Sequence, residues 1–238
     1  MRPTVRYGID APLVVAALGA GGVVTFAAAS GLGRAELVVV GSSLLLTALA
    51  MVSSSLIAKP RAVQQLLGEL ALAEDEQLLD IGCGRGLLLV AAAERVPRGH
   101  LVGIDSWRAR DQSGNSRGAT NCNLQRAQVG DRCQVITCDA RELPFDDACF
   151  DVVVSSLMLH NLPTAAERAR VLAEMVRVLR PGGRVAILDI ARTAQHAEIL
   201  EQAGLAVTRH RAAWLFPPAH IVTAHKLVDA KPVDVDTN

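Results

Sequence analysis

The chain has 238 residues, of which half are hydrophobic and only 3% aromatic, and its 24 Lys and Arg balance 24 Asp and Glu. This length allows one buried core of ordinary size and an additional segment. A net charge of zero argues against a surface that coats nucleic acid, so we expect no nucleic-acid partner. The five cysteines contain no C-x-x-C pair, which predicts reduced cytosolic thiols and no metal site.

Two apolar runs lie in the N-terminal quarter of the chain, and we interpret residues 1–58 as a separate unit. Neither run contains a charged residue. Each reaches the roughly 20 residues that a helix needs to span a bilayer. The sequence therefore predicts a transmembrane hairpin with spans at about residues 12–30 and 37–58, of which the second, rich in Leu and Val, is the stronger.

Basic residues lie on the outer sides of this hairpin, with Arg2 and Arg6 before the first span and Lys59 and Arg61 after the second. Because cytoplasmic flanks of membrane spans carry an excess of Lys and Arg, this pattern places both ends in the cytoplasm. It predicts a multi-pass protein of the cell membrane whose remaining domain is cytoplasmic.

Small residues in the first run, such as Ala17 and Gly21, would let the two helices approach closely, and the same helices offer a surface for homo-oligomerisation. Two alternatives remain open. The first run ends in three alanines after a basic start, which is also the form of a secretory signal peptide. The hairpin is alternatively a soluble helical pair that packs on the remaining domain or on a partner.

Helices and strands alternate over residues 59–228, and the tail, 229–238, is expected to be disordered. The predicted helices cover Ala62 to Ala73, Leu87 to Val96, Asn115 to Val129, Pro163 to Leu179 and Ala194 to Ala203. The predicted strands cover Leu78 to Ile81, His100 to Asp105, Gln134 to Ala140, Phe150 to Leu159, Arg180 to Ile190, Ala206 to His210 and His220 to Val228. This alternation with short loops predicts a mostly parallel sheet with helices on both faces.

The segment from Leu78 to Gly86 reads LLDIGCGRG and has the form of a nucleotide-binding turn. An apolar strand carries Asp80, and Gly82, Gly84 and Gly86 then allow backbone conformations and a close ligand approach that a Cβ would prevent. The helix that follows directs free N–H groups at the loop. A dinucleotide-binding turn would read G-x-G-x-x-G, whereas the third glycine here comes one residue earlier.

Four motifs follow one another in the order of a known enzyme family: LLDIGCGRG, VGID ending at Asp105, CDARELPF beginning at Cys138, and LRPGGRVAILDI beginning at Leu179. With these motifs the chain resembles the class I S-adenosylmethionine-dependent methyltransferases from about Lys59 to Leu227. The resemblance implies a Rossmann-like α/β fold with a seven-stranded, mostly parallel sheet of strand order 3-2-1-4-5-7-6. It also implies S-adenosyl-L-methionine as the cofactor.

A narrower resemblance rests on three further segments. They read DQSGNS from Asp111 to Ser116, VVVSSLMLHNL from Val152 to Leu162, and LFPPAHIVTAHK from Leu215 to Lys226. In these segments the chain resembles a bacterial branch of membrane-anchored methyltransferases, which implies no particular substrate.

The resemblance implies a cofactor site at the carboxyl ends of the strands, formed by Asp80, Gly82, Cys83, Gly84, Gly86, Asp105, Ser106, Asp139, Ala140 and Ser155. Asp105 would accept both ribose hydroxyls, the alternative being a helix or turn cap. Asp139 would accept from the adenine amino group while the N–H of Ala140 addresses the ring, the alternative being an Asp that starts a turn. Asp80 would organise the loop and the ammonium group of the ligand, or else form a structural salt bridge.

His160, just past the fourth strand and next to Asn161, is the candidate catalytic residue. A sulfonium is already an activated methyl donor, so the protein must mainly hold a nucleophile in line and exclude water. A general base is needed only where the acceptor loses a proton. The alternative is that His160 shapes the pocket or binds backbone.

Two other segments have open roles. Trp107 and the polar stretch from Asp111 to Ser116 would close over the cofactor or admit substrate, unless the stretch is an exposed loop in which Ser113 or Asn115 caps the next helix. Trp214 with the segment Phe216 to Pro218 would form an apolar lip near the membrane, or simply a hairpin turn packed on the core.

The resulting hypothesis is an integral-membrane S-adenosylmethionine-dependent methyltransferase that acts at the cytoplasmic face on a lipophilic small molecule or lipid. Two other classes remain: a nicotinamide-dependent oxidoreductase, and a non-catalytic cofactor-binding membrane scaffold.

Overall fold

The computed structural model describes residue 5 and residues 7–108, 111–212 and 216–228. Its helices are α1 (Pro12–Leu32), α2 (Ala35–Ser53), α3 (Lys59–Glu69), α4 (Leu87–Ala93), α5 (Arg117–Arg126), α6 (Ala165–Val178) and α7 (Thr193–Gln202). Its strands are β1 (Gln77–Ile81), β2 (His100–Asp105), β3 (Cys133–Thr137), β4 (Phe150–Ser156), β5 (Leu179–Asp189), β6 (Leu205–Arg211) and β7 (His220–Lys226). Several predicted features lie outside the described residues: Arg2, Arg6, Trp214, Leu215 and the tail at 229–238.

The strands form one seven-stranded sheet in the order β3-β2-β1-β4-β5-β7-β6, which confirms the predicted topology. β1 pairs in parallel with both β2 and β4. β7 runs in the opposite direction and is antiparallel to both of its neighbours, β5 and β6. The direction of strand succession therefore reverses between β1 and β4. In open α/β sheets this reversal opens a crevice at the carboxyl ends of the strands, where ligands bind.

Helices cover the sheet on both faces and bury two apolar clusters. One cluster joins α3 and α4 to the sheet through residues such as Leu66 and Leu89. The other joins α6 and α7 to the opposite face through residues such as Met175 and Leu200. These two layers fix the sheet rigidly and leave its carboxyl edge to the loops.

Two strands end three residues earlier than predicted, and both of these differences lie at the carboxyl edge. β3 ends at Thr137 rather than Ala140, and β4 ends at Ser156 rather than Leu159. Leu157 adopts a left-handed conformation with φ of 55°, and its N–H donates to the Leu188 carbonyl, so the chain leaves the sheet there. The residues after each strand are therefore loop residues beside the crevice.

The helices α1 and α2 pack on each other through glycine. A Cβ added to Gly22 would lie 3.1 Å from the carbonyl oxygen of Gly41, and one added to Gly41 would lie 3.0 Å from that of Gly22. The expected small residues are not the ones in contact, because Ala17 is exposed and a Cβ on Gly21 would reach only Leu44, at 3.8 Å. The close approach of the two helices is therefore at Gly22, one residue after Gly21.

Both α1 and the long helix that contains α2 are apolar and long enough to cross a membrane by length and composition. Only 11% and 17% of their most apolar windows are buried. The helices are thus not core helices of the α/β domain, and the expectation of a soluble pair packed on that domain is disfavoured. Large apolar side chains such as Leu13, Val24 and Leu46 are exposed along them.

The second apolar helix continues into the α/β domain without a break. A five-residue π-helical turn, Ser54–Ala58, joins α2 to α3, and the whole helix runs from Ala35 to Glu69, or about 50 Å. The sequence predicts two separate helices here because the uncharged run ends before Lys59, and Pro60 follows at this point. A widened π-helical turn accommodates the extra residue and the proline ring, and such turns are frequent at functional sites.

Candidate functional site

A cavity opens at the carboxyl ends of β1 and β4, where the sheet topology places the ligand crevice. The space within its walls, together with its open mouth, amounts to about 980 Å³. Of the predicted cofactor residues, the cavity wall contains Asp80, Gly82, Cys83, Gly84, Asp105, Ser106, Asp139 and Ala140.

The glycine loop forms the floor of this cavity. Gly82 and Gly84 have φ of 77° and 51°, and the N–H of Gly82 donates to the Ile104 carbonyl at 2.8 Å. A Cβ on Gly82 would lie 2.4 Å from Cγ of Met158, so no other residue fits. Gly86 does not line the cavity; with φ of 80° it precedes α4 as its N-cap. Its role is to turn the chain into the helix.

Asp80 is the most unusual group in the site. It is 1% exposed, and neither carboxylate oxygen has a hydrogen-bond partner of normal geometry among the described residues. Burial, reinforced by the charge of Asp105, raises the pKa of Asp80 to about 8, while the Lys59 ammonium and the Leu89 N–H act in the opposite direction. A buried acid without a hydrogen bond of normal geometry is costly, so Asp80 is a candidate to bind a donor group of a ligand. The predicted structural salt bridge at Asp80 is absent from the described residues.

Asp105 connects the loop after β2 to the glycine loop. Its Oδ2 accepts from the Gly84 N–H at 2.8 Å, and its Oδ1 accepts from the N–H of Trp107 at 2.6 Å and from Nδ2 of Asn115 at 3.3 Å. Each carboxylate oxygen has two lone pairs, so Oδ2 retains one for a ligand hydroxyl. The carboxylate therefore caps a turn and is still able to accept from a ribose.

Asp139 lies at the other end of the cavity and is half exposed. The Arg141 guanidinium donates to both of its oxygens, at 2.6 to 3.1 Å, and the Arg141 N–H donates to Oδ1 at 2.9 Å. These hydrogen bonds lower the pKa of Asp139 to about 2. The turn-starting geometry considered from the sequence is thus present, and the same turn places Cys138 and Ala140 in the cavity wall.

Ser155 is a correction to the predicted site. Its hydroxyl is buried and donates to the Ile81 carbonyl at 2.8 Å, which ties β4 to β1, and it does not line the cavity. Ser156 lines it instead, with a buried hydroxyl that has no partner among the described residues. Successive strand residues point to opposite faces, so an error of one residue exchanges a structural serine for a site serine.

His160 lies in a short 3-10 turn, Leu159–Asn161, directly after β4. Its Nδ1 is 2.7 Å from Oδ1 of Asp189, and its N–H donates to Oδ2 of the same residue at 3.1 Å. Asp189 is fully buried at the end of β5. The ring itself is not part of the cavity wall, which contains the neighbouring Asn161 and Leu162.

The cavity also contains residues that the sequence did not single out as site residues: Asp10, Lys59 and Gln112. The sequence assigns Lys59 only to the basic flank of the second span, and Asp10 lies two residues before the first span. The Gln112 amide accepts from the Arg85 N–H at 3.0 Å and lies over the glycine loop, 2.6 Å from where a Cβ of Gly84 would be. The polar stretch from Asp111 to Ser116 therefore closes over the site, and Ser116 rather than Ser113 or Asn115 caps α5.

Burial raises the pKa of the Cys83 thiol well above its usual value, with Asp80 and Asp105 reinforcing the shift. The side chain is therefore a neutral thiol packed against Gly103, where an added Cβ would lie 3.0 Å from its Sγ. Cys83 thus acts as an apolar part of the cavity wall.

Residues 79–187 match the sequence profile of a family described as methyltransferase domain. Over 134 residues the chain is 38% identical to the 27-O-demethylrifamycin SV methyltransferase of Amycolatopsis mediterranei (strain S699), an alignment that covers 56% of this chain and 45% of that protein. It is 38% identical over 117 residues to a demethylmenaquinone methyltransferase of Roseiflexus castenholzii (strain DSM 13941 / HLO8), which covers 49% of this chain and 44% of that protein. The chain thus spans less than half the length of these relatives.

Among solved structures, the [4+2]-cyclase SpnF shares the fold with a TM-score of 0.63 at 18% identity, over 74% of this chain and 84% of that one. The strand order of the sheet and the family match over residues 79–187 point to the same fold. Residues 79–187 therefore match a methyltransferase domain, and the sheet that contains them has the strand order of the class I S-adenosylmethionine-dependent methyltransferases, whose cofactor is S-adenosyl-L-methionine.

Proposed function

We propose that this chain is a membrane-anchored methyltransferase that transfers the methyl group of S-adenosylmethionine to a lipophilic acceptor at the cytoplasmic face. One observation carries the proposal. The helix that is long and apolar enough to cross a bilayer continues, from Ala35 to Glu69, directly into the wall of the cofactor cavity at Lys59. An acceptor that partitions into the bilayer would be concentrated next to that wall.

The residues of the cavity fit this cofactor. Asp80, buried and unpartnered, would bind its ammonium group, and Oδ2 of Asp105 would accept from a ribose hydroxyl. The turn at Asp139 and Ala140 would border the adenine. When bound, the cofactor supplies an activated methyl group, so the protein has to orient the acceptor and exclude water.

We propose His160 as a general base for an acceptor that must lose a proton. The carboxylate of Asp189 fixes the ring through Nδ1 and makes Nε2 the basic nitrogen. An acceptor hydroxyl that reaches past Asn161 would give its proton to Nε2 as the methyl group leaves sulfur. Replacement His160→Gln is then expected to lower turnover while the affinity for S-adenosylhomocysteine stays unchanged, and Asp189→Asn is expected to lower turnover as well. Unchanged turnover in both variants would contradict this role.

The lipophilic acceptor is supported by the relatives, one of which acts on demethylmenaquinone. The membrane anchor is supported by the exposed apolar surfaces of α1 and α2 and by Lys59 and Arg61, which follow the second span as cytoplasmic flanks do. We place both helices across the bilayer and the catalytic domain in the cytoplasm, and we expect homo-oligomers to form through the helices.

The experiment uses the full chain in lipid nanodiscs with a methyl donor labelled in the methyl group and a total membrane lipid extract. We expect the label to enter the organic phase, to be lost with Asp105→Ala, and to persist with the exposed control Asp131→Asn. Label found only in water-soluble products would refute the lipophilic acceptor.

A second outcome tests methyl transfer itself, because the fold also serves a cyclase. A protein that binds S-adenosylhomocysteine but labels neither phase would be a non-catalytic binder or an enzyme of another class. Calorimetry with nicotinamide dinucleotides is expected to show no binding, since the third glycine of the loop comes one residue early.

A further inference from the structure

A buried Lys and a buried Asp, whose carboxyl becomes an anion when a ligand binds, share one wall of the cavity. Lys59 is 8% exposed and Asp80 1% exposed, and both line the cavity. The Lys59 ammonium is the cation that acts on Asp80 in the described part of the chain. Opposite charges that are held apart on one wall complement a ligand that carries both an ammonium and a carboxylate group.

We propose that Lys59 binds the carboxylate of the cofactor's amino-acid end while Asp80 binds its ammonium group, an inference that rests on the proposed function. Of the other cations in the cavity wall, Arg108 acts on Asp139, at the adenine end, and Arg85 lies beside the N-terminal segment, where it donates to the Ser113 carbonyl at 3.3 Å. Among the described residues, Lys59 is the cation whose charge acts on Asp80.

The pair that Lys59 forms without a ligand is compatible with this role. Its Nζ lies 2.8 Å from Oδ1 of Asp10. The Asp10 carboxylate is also approached by Oγ of Ser55 and Nε2 of Gln112, both at 3.4 Å. An ammonium group has three donors, so Lys59 can hold Asp10 and a ligand carboxylate together. Asp10 thus orients the ammonium group, which keeps donors free for a ligand carboxylate.

The local fold explains why a residue at the end of an apolar helix reaches the cavity. The π-helical turn Ser54–Ala58 directs the following residue, Lys59, toward the domain interior. Asp10 is held by a strap, residues 8–11, that pairs with residues 111–113 through the hydrogen bonds Ser113 N–H to Ile9 carbonyl, 2.9 Å, and Ala11 N–H to Asp111 carbonyl, 3.0 Å.

The two ends of the helical hairpin therefore converge on the amino-acid end of the cofactor. A hairpin that only tethered the domain would not place a charged side chain from each end in the cavity wall. The anchor is in this respect a part of the cofactor site, and Lys59 is a binding residue with Asp10 as its positioning residue.

The test compares two ligands by calorimetry on the full chain in detergent. S-adenosylhomocysteine carries the amino-acid end, whereas 5′-methylthioadenosine keeps the adenosine and the sulfur and lacks that end. We expect Lys59→Met to weaken S-adenosylhomocysteine by about ten to one hundred fold and to leave methylthioadenosine unchanged. Unchanged methylthioadenosine binding also shows that the variant is folded, and Lys59→Arg is expected to restore most of the lost affinity.

Asp10→Asn separates recognition from structure, because it breaks the same ion pair but keeps the cation. We expect it to preserve the preference for S-adenosylhomocysteine. Equal losses in Asp10→Asn and Lys59→Met, for both ligands, would show that the pair is only structural and would overturn the inference. Full S-adenosylhomocysteine affinity in Lys59→Met would also overturn the inference and would assign Lys59 to a carboxylate of the acceptor. Failure of the unchanged protein to bind S-adenosylhomocysteine would instead refute the proposed function.

Discussion

Asp80 is expected to make the ligand-free protein less stable as the pH rises. Its pKa is about 8 in the folded chain and 3.8 in the unfolded chain, so between these values the folded state binds the additional proton. Stability therefore falls with increasing pH throughout that window. A full pKa unit corresponds to about 1.4 kcal/mol, and allowing for half-ionisation at the upper end gives a loss of about 2 kcal/mol between pH 6 and pH 8.

Replacement Asp80→Asn removes this contribution. In a chain of this size about 2 kcal/mol corresponds to roughly 4 to 8 °C in the unfolding midpoint. We expect the midpoint of the unchanged protein to fall by that much more than that of the variant from pH 6 to pH 8. Thermal unfolding in detergent without cofactor measures it, and the exposed Asp131→Asn serves as the matched control because it should follow the unchanged protein.

Parallel curves for Asp80→Asn and the unchanged protein would refute the reasoning, since they would mean that Asp80 is ionised in the folded chain or is paired there. The variant is also expected to lose cofactor affinity while gaining stability at pH 8. A group that lowers the stability of the ligand-free protein, as Asp80 is expected to do, is consistent with a role in ligand binding.

Three other predictions follow from the same geometry. At pH 7, binding of S-adenosylhomocysteine should release a proton from Asp80, so the calorimetric enthalpy should depend on the buffer, and a buffer-independent enthalpy would contradict it. Ser155→Ala should cost about 1 kcal/mol of stability by leaving the Ile81 carbonyl unpaired, whereas Ser156→Ala should change cofactor affinity in calorimetry and leave the unfolding midpoint unchanged. Gly22→Leu should separate α1 from α2 and reduce disulfide cross-linking between engineered cysteines on their facing sides, and undiminished cross-linking would refute the close contact.

The part of the site that follows from the sequence is the part where the carboxyl ends of parallel strands converge. Asp80 in β1, Asp105 at the end of β2 and Asp139 just after β3 lie beside neighbouring strands, so knowing the strand order brings them together. The glycine loop also follows from the sequence, because glycine is the residue that readily adopts the positive φ found at positions 82 and 84.

Other contacts depend on distances that no local pattern encodes. Asp189 holds His160 from 29 residues away, and Asp10 meets Lys59 across 49 residues. The serine pair at the end of β4 shows a different limit, since a one-residue uncertainty in the end of a strand reverses which side chain faces the ligand.

The continuity of α2 with α3 affects how a lipophilic acceptor has to be tested. Deletion of residues 1–58 would remove both the strap that carries Asp10 and Ser55, whose Oγ lies 3.4 Å from the Asp10 carboxylate. Activity lost in such a truncation would reflect a damaged cofactor cavity as much as a missing membrane. The lipid phase must therefore be varied around the intact chain, with S-adenosylhomocysteine affinity measured alongside, because only a change in turnover at constant cofactor affinity reports on delivery of the acceptor.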